Sequence, residues 1–244
     1  MLEDGSVIPA IIEKRKALSP QHALLVGISG IDASGKGFVT TGIAESLQKR
    51  GIKLAVINAD GWLNLPHVRF HQQDLAKHFY ESAIRFDEMF EGVILPLRGT
   101  RSVNVESDFT EETATTFRKH RYAFRNIDII LLEGIFLFKP MYRDDFDLKV
   151  WIHCSFEAAL ERAIERGQEG LPPDETIRAF ETIYFPAQRI HLARDTPCQV
   201  ADIVLTNDRP SGISLLAMSC RVGLTADPTP IARRNEPFAK RYCR

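Results

Sequence analysis

The sequence predicts an α/β fold on a parallel sheet, and three observations predict it. Five short apolar runs bounded by turn residues recur along the chain, helix-like segments follow the first and the fourth, and a glycine-rich phosphate-loop pattern closes the first. Strands of nearly continuous apolar character are covered on both faces, as in parallel sheets, and alternation of such strands with helices defines the α/β class.

The elements follow in order. The opening stretch, "MLEDGSVIPAIIEKRKALSPQ", mixes acids, bases and prolines, so no secretory leader is expected. The first run, "ALLVGIS" (Ala23–Ser29), leads through "GISGIDASGKGFVT" into a helix over Gly37–Arg50. The second, "KLAVINAD" (Lys53–Asp60), ends on an acid. About sixty-five residues then intervene before the third run, far more than the ~2–6 of a strand-to-helix loop, which marks an insert over about 61–126. Within it, Leu75, Phe79, Ala83, Phe86 and Phe90 recur at helical spacing, "GVILPLRGTRSVNV" reads as a hairpin and Glu111–Tyr122 as a further helix. The insert is expected to cover a substrate; alternatively its Phe stripe packs on the sheet. The third run, "IDIILLEG" (Ile127–Gly134), also ends on an acid; "DLKVWIHC" (Asp147–Cys154) precedes a helix over Phe156–Arg166, and "ADIVLTND" (Ala201–Asp208) is the fifth run. Residues 209–244 lose periodicity and read as an appendage with a short helix over Ser214–Val222 and a solvated basic end.

Composition narrows the function. With 244 residues, 44% hydrophobic and 26% charged, the chain suits one sizeable domain carrying a lid. Thirty-one Lys and Arg against 32 Asp and Glu leave a net charge of −1, so neither nucleic acid nor an acidic membrane is the expected partner. No run reaches the ~18 apolar residues of a membrane span. Cys154, Cys198, Cys220 and Cys243 are scattered without a C-x-x-C pair, which points away from a zinc knuckle or dense disulfide framework and towards a cytoplasmic setting.

From Gly30 to Lys36 the spacing is G-x-x-x-x-G-K, the Walker A pattern, placed between a strand and a helix as its mechanism requires. The N–H groups of Asp32, Ala33, Ser34, Gly35, Lys36 and Gly37 would face phosphates, with Phe38 following, the helix N-terminus adding partial positive charge and Lys36 an ammonium. Gly37 stands where a Ser or Thr hydroxyl usually holds Mg²⁺, as in the G-K-G-T form of the adenylate kinase loop, except that Phe38 replaces the Thr. Thr40 and Thr41 lie nearly a turn further on and are not expected to replace that hydroxyl; carboxylates acting through water are. In open parallel sheets ligands bind beyond the carboxyl ends of the strands, which singles out Asp60 and Glu133. Asp60 is the candidate base, or else a cap for the turn before Trp62; Glu133 is the Walker B-like candidate for orienting metal-bound water, or else a helix cap or surface acid.

In combination, "GISGIDASGKG", "VINADGW", "ILLEGIF" and "ADIVLTND", in that order, resemble the uridine kinase/phosphoribulokinase family of P-loop small-molecule kinases over roughly residues 20–208. The resemblance implies the P-loop NTPase fold, a five-stranded parallel sheet flanked by helices, an acceptor-binding insert and a small helical lid over about 155–195. It implies ATP with Mg²⁺, a small-molecule acceptor, nucleoside-like or sugar-like, Asp60 as base toward its hydroxyl, and it permits a homo-oligomer. "ADGW" keeps the family's Asp without its aromatic pattern, whereas Glu133–Gly134–Ile135 matches the family's E-G-I. In the lid segment "LERAIERGQEG", Arg162 and Arg166 share a helix face and could both reach ATP phosphates, or else pair with Glu161 and Glu165; Arg189 is a third candidate. The family's Pro-Tyr-Asp segment is replaced by "ILPLRGTRS", so Trp62, His78, Phe79 and Tyr80 are the candidates to stack on an acceptor, and Arg98 and Arg101 to meet an anionic group; each has a structural alternative. His67 and His71 are not expected to bind metal. The expected activity is phosphorylation of a metabolite hydroxyl; the alternative is a nucleotide-binding regulator of the same fold with weakened catalysis.

Overall fold

The computed structural model describes residues 7–70, 73–167, 170–209 and 212–215. Along the chain run α1 (Val7–Ala17), β1 (Leu24–Gly30), α2 (Lys36–Gln48), β2 (Leu54–Asn58), a 3-10 turn (Ala59–Trp62), α3 (Pro66–Arg69), α4 (Leu75–Ser82) and α5 (Phe86–Met89). A π turn (Phe90–Ile94) joins α5 to α6 (Leu95–Thr100), followed by β3 (Val103–Phe109), β4 (Arg118–Phe124), β5 (Ile129–Gly134), β6 (Leu148–His153), α7 (Phe156–Arg166) and α8 (Pro173–Ala179). A second π turn (Phe180–Tyr184) continues into α9 (Phe185–Asp195), then α10 (Pro197–Val200), β7 (Ile203–Arg209) and β8 (Gly212–Leu215).

All five apolar runs are strands of one sheet of order β2-β5-β1-β6-β7-β8. The first five are parallel, and β8 pairs antiparallel with β7 at the edge. Every residue of β1 is buried, because alternate side chains feed opposite layers. Leu24, Val26 and Ile28 join Val7, Ile8 and Ile11 of α1 and Val39, Ile43 and Leu47 of α2 on one face. Leu25, Ile130, Leu132 and Trp151 join the insert and the α8–α9 helices on the other. On that second face Gly27 leaves room for two buried rings: a Cβ there would stand 2.7 Å from Phe146 and 2.8 Å from Phe138. Gly27→Ala should therefore overpack the core by about 1–3 kcal/mol, seen as a lower urea midpoint at unchanged m-value.

The insert departs from expectation in register and type. Residues 86–100 are helical throughout, since Phe90, Val93, Ile94 and Leu97 recur at helical spacing and are all buried, while Pro96 sits in the first turn of α6, where proline is tolerated. The hairpin lies further on: β3 and β4 pair from Val103↔Phe124 to Phe109↔Arg118. Glu111–Tyr122 is accordingly a turn followed by a strand rather than a helix. The period-two series Val103, Val105, Ser107, Phe109 and His120, Tyr122, Phe124 carries the strand signal. The expected helix over Ser214–Val222 begins instead in β8, and its remainder lies outside the described residues.

A buried polar cluster ties the insert to α9. Tyr80 Oη donates to Asp195 Oδ2 at 2.6 Å, and His191 Nδ1 meets the same oxygen at 2.6 Å. Burial pushes the Asp195 carboxyl up, but the bonds from His191 and Tyr80 outweigh it and hold the group below its ordinary range. Tyr80, a stacking candidate from the sequence, is thus a structural tie.

Candidate functional site

The phosphate loop is built by the turn out of β1. Its path depends on two left-handed positions, Ala33 at φ 56 and Gly35 at φ 89, and α2 begins at Lys36 with no side-chain cap, leaving its first N–H groups open to a ligand. Lys36 Nζ donates to the Ile31 carbonyl at 2.8 Å, spanning the loop. Ser34 is buried, and its carbonyl accepts from Asn207 Nδ2 at 2.8 Å. Asn207, at the end of β7, also packs so closely on Gly35 that any Cβ there would collide with its amide. Phe38 points outward, 69% exposed, and contributes no side chain to the loop's interior.

A cavity of about 810 Å³ joins this loop to the carboxyl ends of β2 and β5, the β3–β4 hairpin and the helix formed by α8 and the second π turn. Lys36, Asp60 and Glu133 all line it. Asn58 Oδ1 caps the turn by accepting from Asp60 N at 2.8 Å, so the cap is Asn58, and Asp60 lines the cavity. Glu133 faces the start of α2: a Cβ on Gly37 would stand 3.6 and 3.8 Å from its two carboxylate oxygens, and Thr40 Oγ1 is 3.2 Å from Oε2. Burial pushes the Glu133 carboxyl above its ordinary range, against Lys36; the charge of Asp60 pushes the same way. After Gly134, Phe136 takes φ 60 although bulky, its ring held edge-on against Phe79, Tyr80 and His191.

Asp32 contributes more than its backbone. Its side chain lines the cavity and accepts from Gln188 Nε2 of α9 at 2.9 Å. Burial raises its affinity for a proton, Lys36 opposes this, and Asp60 adds to it. Carboxyls raised in the folded state bind protons more tightly there than in the unfolded chain. Their stabilising effect is complete below the ordinary carboxylate range and is lost as pH rises through the raised values. Asp32→Asn and Glu133→Gln should each flatten that loss and raise the denaturant midpoint at pH 7 relative to wild type. The comparison is made between variant and wild type at each pH, because Asp195 titrates in the opposite sense; equal midpoints across pH 4–8 would refute it.

The two arginines expected in a lid part company. Arg166 lines the cavity, whereas Arg162 turns to Cys154 Sγ at 3.1 Å and the Asn207 carbonyl at 2.6 Å, bracing the residue that braces the loop. Arg189 lies over the Phe156 ring at 4.7 Å. Of the acceptor candidates, Phe79 lines the cavity. Trp62 is fully buried and stacks on Tyr122 at 5.5 Å, and His78 Nε2 meets the Val68 carbonyl. Arg98 and Arg101 require correction. Arg98 pairs with Asp147 at 2.8 Å, and Arg101 with Asp128 at 2.5 Å and the carbonyls of Ile127 and Pro20. These partners flank the amino ends of β5 and β6, opposite the cavity, so the positive charges expected to meet an acceptor are consumed by acids of the chain itself. The hairpin supplies instead Phe109, His120 and Tyr122, and the long helix Phe180 and Tyr184. The strand period of β3 and β4 was the signal for the first three; Asn207 and Gln188 had none beyond lying at a strand end and in a helix.

No protein-family model and no curated protein matches the chain in sequence. Solved structures do match its fold. A protein described as a possible uridine kinase from Bacillus stearothermophilus is 21% identical at a TM-score of 0.63, over 81% of this chain and 96% of that one. D-glycerate 3-kinase from Cryptococcus neoformans var. grubii serotype A is 11% identical at 0.58, over 86% and 96%. Phosphoribulokinase from Rhodobacter spheroides is 16% identical at 0.55, over 77% and 71%. The fold is therefore the α/β fold of these solved structures, with the five parallel strands and flanking helices that the resemblance implied.

Proposed function

We propose that the protein transfers a phosphoryl group from ATP to a hydroxyl of a small metabolite, nucleoside-like or sugar-like. One observation carries the reading: a single cavity is lined by the phosphate loop with Lys36, by Asp60 and by Glu133, at the carboxyl ends of adjacent parallel strands. The loop amides and Lys36 hold the triphosphate, and Arg166 approaches it from the lid. Asp60 accepts the proton of the attacking hydroxyl. The aromatic walls, Phe79, Phe109, Tyr122 and Tyr184 among them, exclude water and seat the acceptor.

The residues fit Mg²⁺ held mostly by water. Among the described residues no three His, Cys, Asp or Glu side chains gather as ligands, but Glu133 faces the space beside Gly37, with Asp60 on the same cavity wall. When bound, the ion neutralises charge on the phosphates. A cytoplasmic enzyme with a soluble acceptor fits a near-neutral chain in which no described helix is long and apolar enough to cross a membrane.

A second reading, a nucleotide-binding regulator with weakened turnover, is favoured by Gly37 and by Arg162 turning away from the cavity that Arg166 lines. ATP titration with and without Mg²⁺, followed by ADP release on addition of nucleosides, sugars and vitamin precursors, separates the two. Acceptor-stimulated ADP supports the kinase. Binding without it supports the regulator, and no ATP binding refutes both.

A further inference from the structure

We propose that Thr40 holds Glu133 at the mouth of the phosphate loop, so that this carboxylate, in place of the loop hydroxyl that position 37 lacks, is the chain's anchor for nucleotide-bound Mg²⁺. The inference rests on the phosphate-loop reading above and concerns how this chain meets the metal without the usual loop hydroxyl.

The geometry around Gly37 is specific. Beyond its chain neighbours and its own helix backbone, a Cβ at position 37 would meet within 4 Å the two carboxylate oxygens of Glu133, at 3.6 and 3.8 Å. A serine hydroxyl would therefore project into the space that Glu133 faces, so the absent group and the present carboxylate serve one location. Glu133 comes from a rigid element, the end of β5, in register with Ile28 of β1 and Asn58 of β2. Its free torsions still need fixing, and Thr40 supplies the contact. Thr40 is 2% exposed on α2, and its Oγ1 stands 3.2 Å from Glu133 Oε2 and 2.9 Å from the Lys36 carbonyl. A threonine hydroxyl carries one proton. It can go to the carbonyl one turn back, a habit of helical Thr, or to the carboxylate. With Glu133 ionised, Oγ1 donates to it; with Glu133 protonated, Oγ1 accepts from it and donates to Lys36. Both arrangements keep Oε2 against Oγ1 and leave Oε1 for a metal-bound water.

The helix contains its own control. Thr41 makes the same backward bond, Oγ1 to the Gly37 carbonyl at 2.9 Å, but it is exposed and makes no such contact with Glu133. A merely helical role would make Thr40 and Thr41 equivalent apart from burial. A positioning role makes only Thr40 matter to the metal, and only while position 37 lacks a hydroxyl.

The test measures binding, with no acceptor required. ADP affinity is followed by calorimetry across Mg²⁺ concentrations and in EDTA, for wild type, Thr40→Val, Thr40→Ser, Thr41→Val, Gly37→Ser and the Gly37→Ser/Thr40→Val double variant. Thr40→Val should raise the Mg²⁺ midpoint about 10–100-fold, the scale for losing a group that orients a metal ligand, and leave affinity in EDTA unchanged. Thr40→Ser and Thr41→Val should stay near wild type, and Thr40→Val should cost several-fold less in the Gly37→Ser background. Equal midpoints for Thr40→Val and Thr41→Val, or the same Thr40→Val cost in both backgrounds, would overturn the inference while leaving the kinase reading intact. Failure of wild type to bind ADP at all would overturn the phosphate-loop reading and the inference with it.

Discussion

Asp60→Asn is expected to lower kcat by about 10²–10⁴-fold, the range for removing a general base, while ATP affinity stays close to wild type. The substitution keeps the shape of the side chain and removes only its ability to take a proton. The 3-10 turn that presents residue 60 survives, because its cap is the Asn58 side chain bonded to the residue 60 amide. Thermal unfolding should therefore not fall, and the lost charge beside Asp32 and Glu133 would if anything raise it, which separates lost chemistry from lost structure. The measurement is acceptor-dependent ADP release under saturating ATP. A variant retaining more than a tenth of wild-type kcat would remove Asp60 from the role of base.

Lys36→Ala carries a comparable penalty by a different route. Its ammonium is the charged donor of the loop, in a residue that lines the cavity, and is held across the loop by the Ile31 carbonyl, so on the proposed reading its removal subtracts a preorganised charge from the place where the transferred phosphoryl would sit. Loss of one such donor is worth about 2.7–4 kcal/mol of barrier, or roughly 10²–10³-fold in kcat. Unlike Asp60→Asn, this variant should also weaken ATP binding, and Lys36→Arg should restore charge without restoring the fit. Near-normal transfer by Lys36→Ala would refute the phosphate-loop assignment.

The sheet and the loop were legible because their signals are local. A run such as Ile129–Leu132, apolar at every position, has no arrangement that satisfies it except cover on both faces, and the loop's glycines and lysine occupy fixed offsets at the end of one such run. The insert was misread where two periods overlap: Val93 and Ile94 favour strands in isolation, yet their spacing from Phe90 and Leu97 buries all four on one helical face. Arg98 and Arg101 were misassigned because sequence records a charge without its direction, and each points to an acid tens of residues away. Gln188 lies 156 positions from its partner Asp32, and Asn207 lies 173 from Ser34; only the closed fold brings such pairs together.

That last pair has a consequence for the order in which the bend can take its shape. The bend between β1 and α2 is a local turn, but the amide that pins its Ser34 carbonyl belongs to β7, 173 residues further along the chain. A chain that has not yet seated β7 beside β6 leaves those glycines and that lysine in an unbraced bend, so the final geometry of the loop is a product of sheet closure and not of its own stretch of sequence alone.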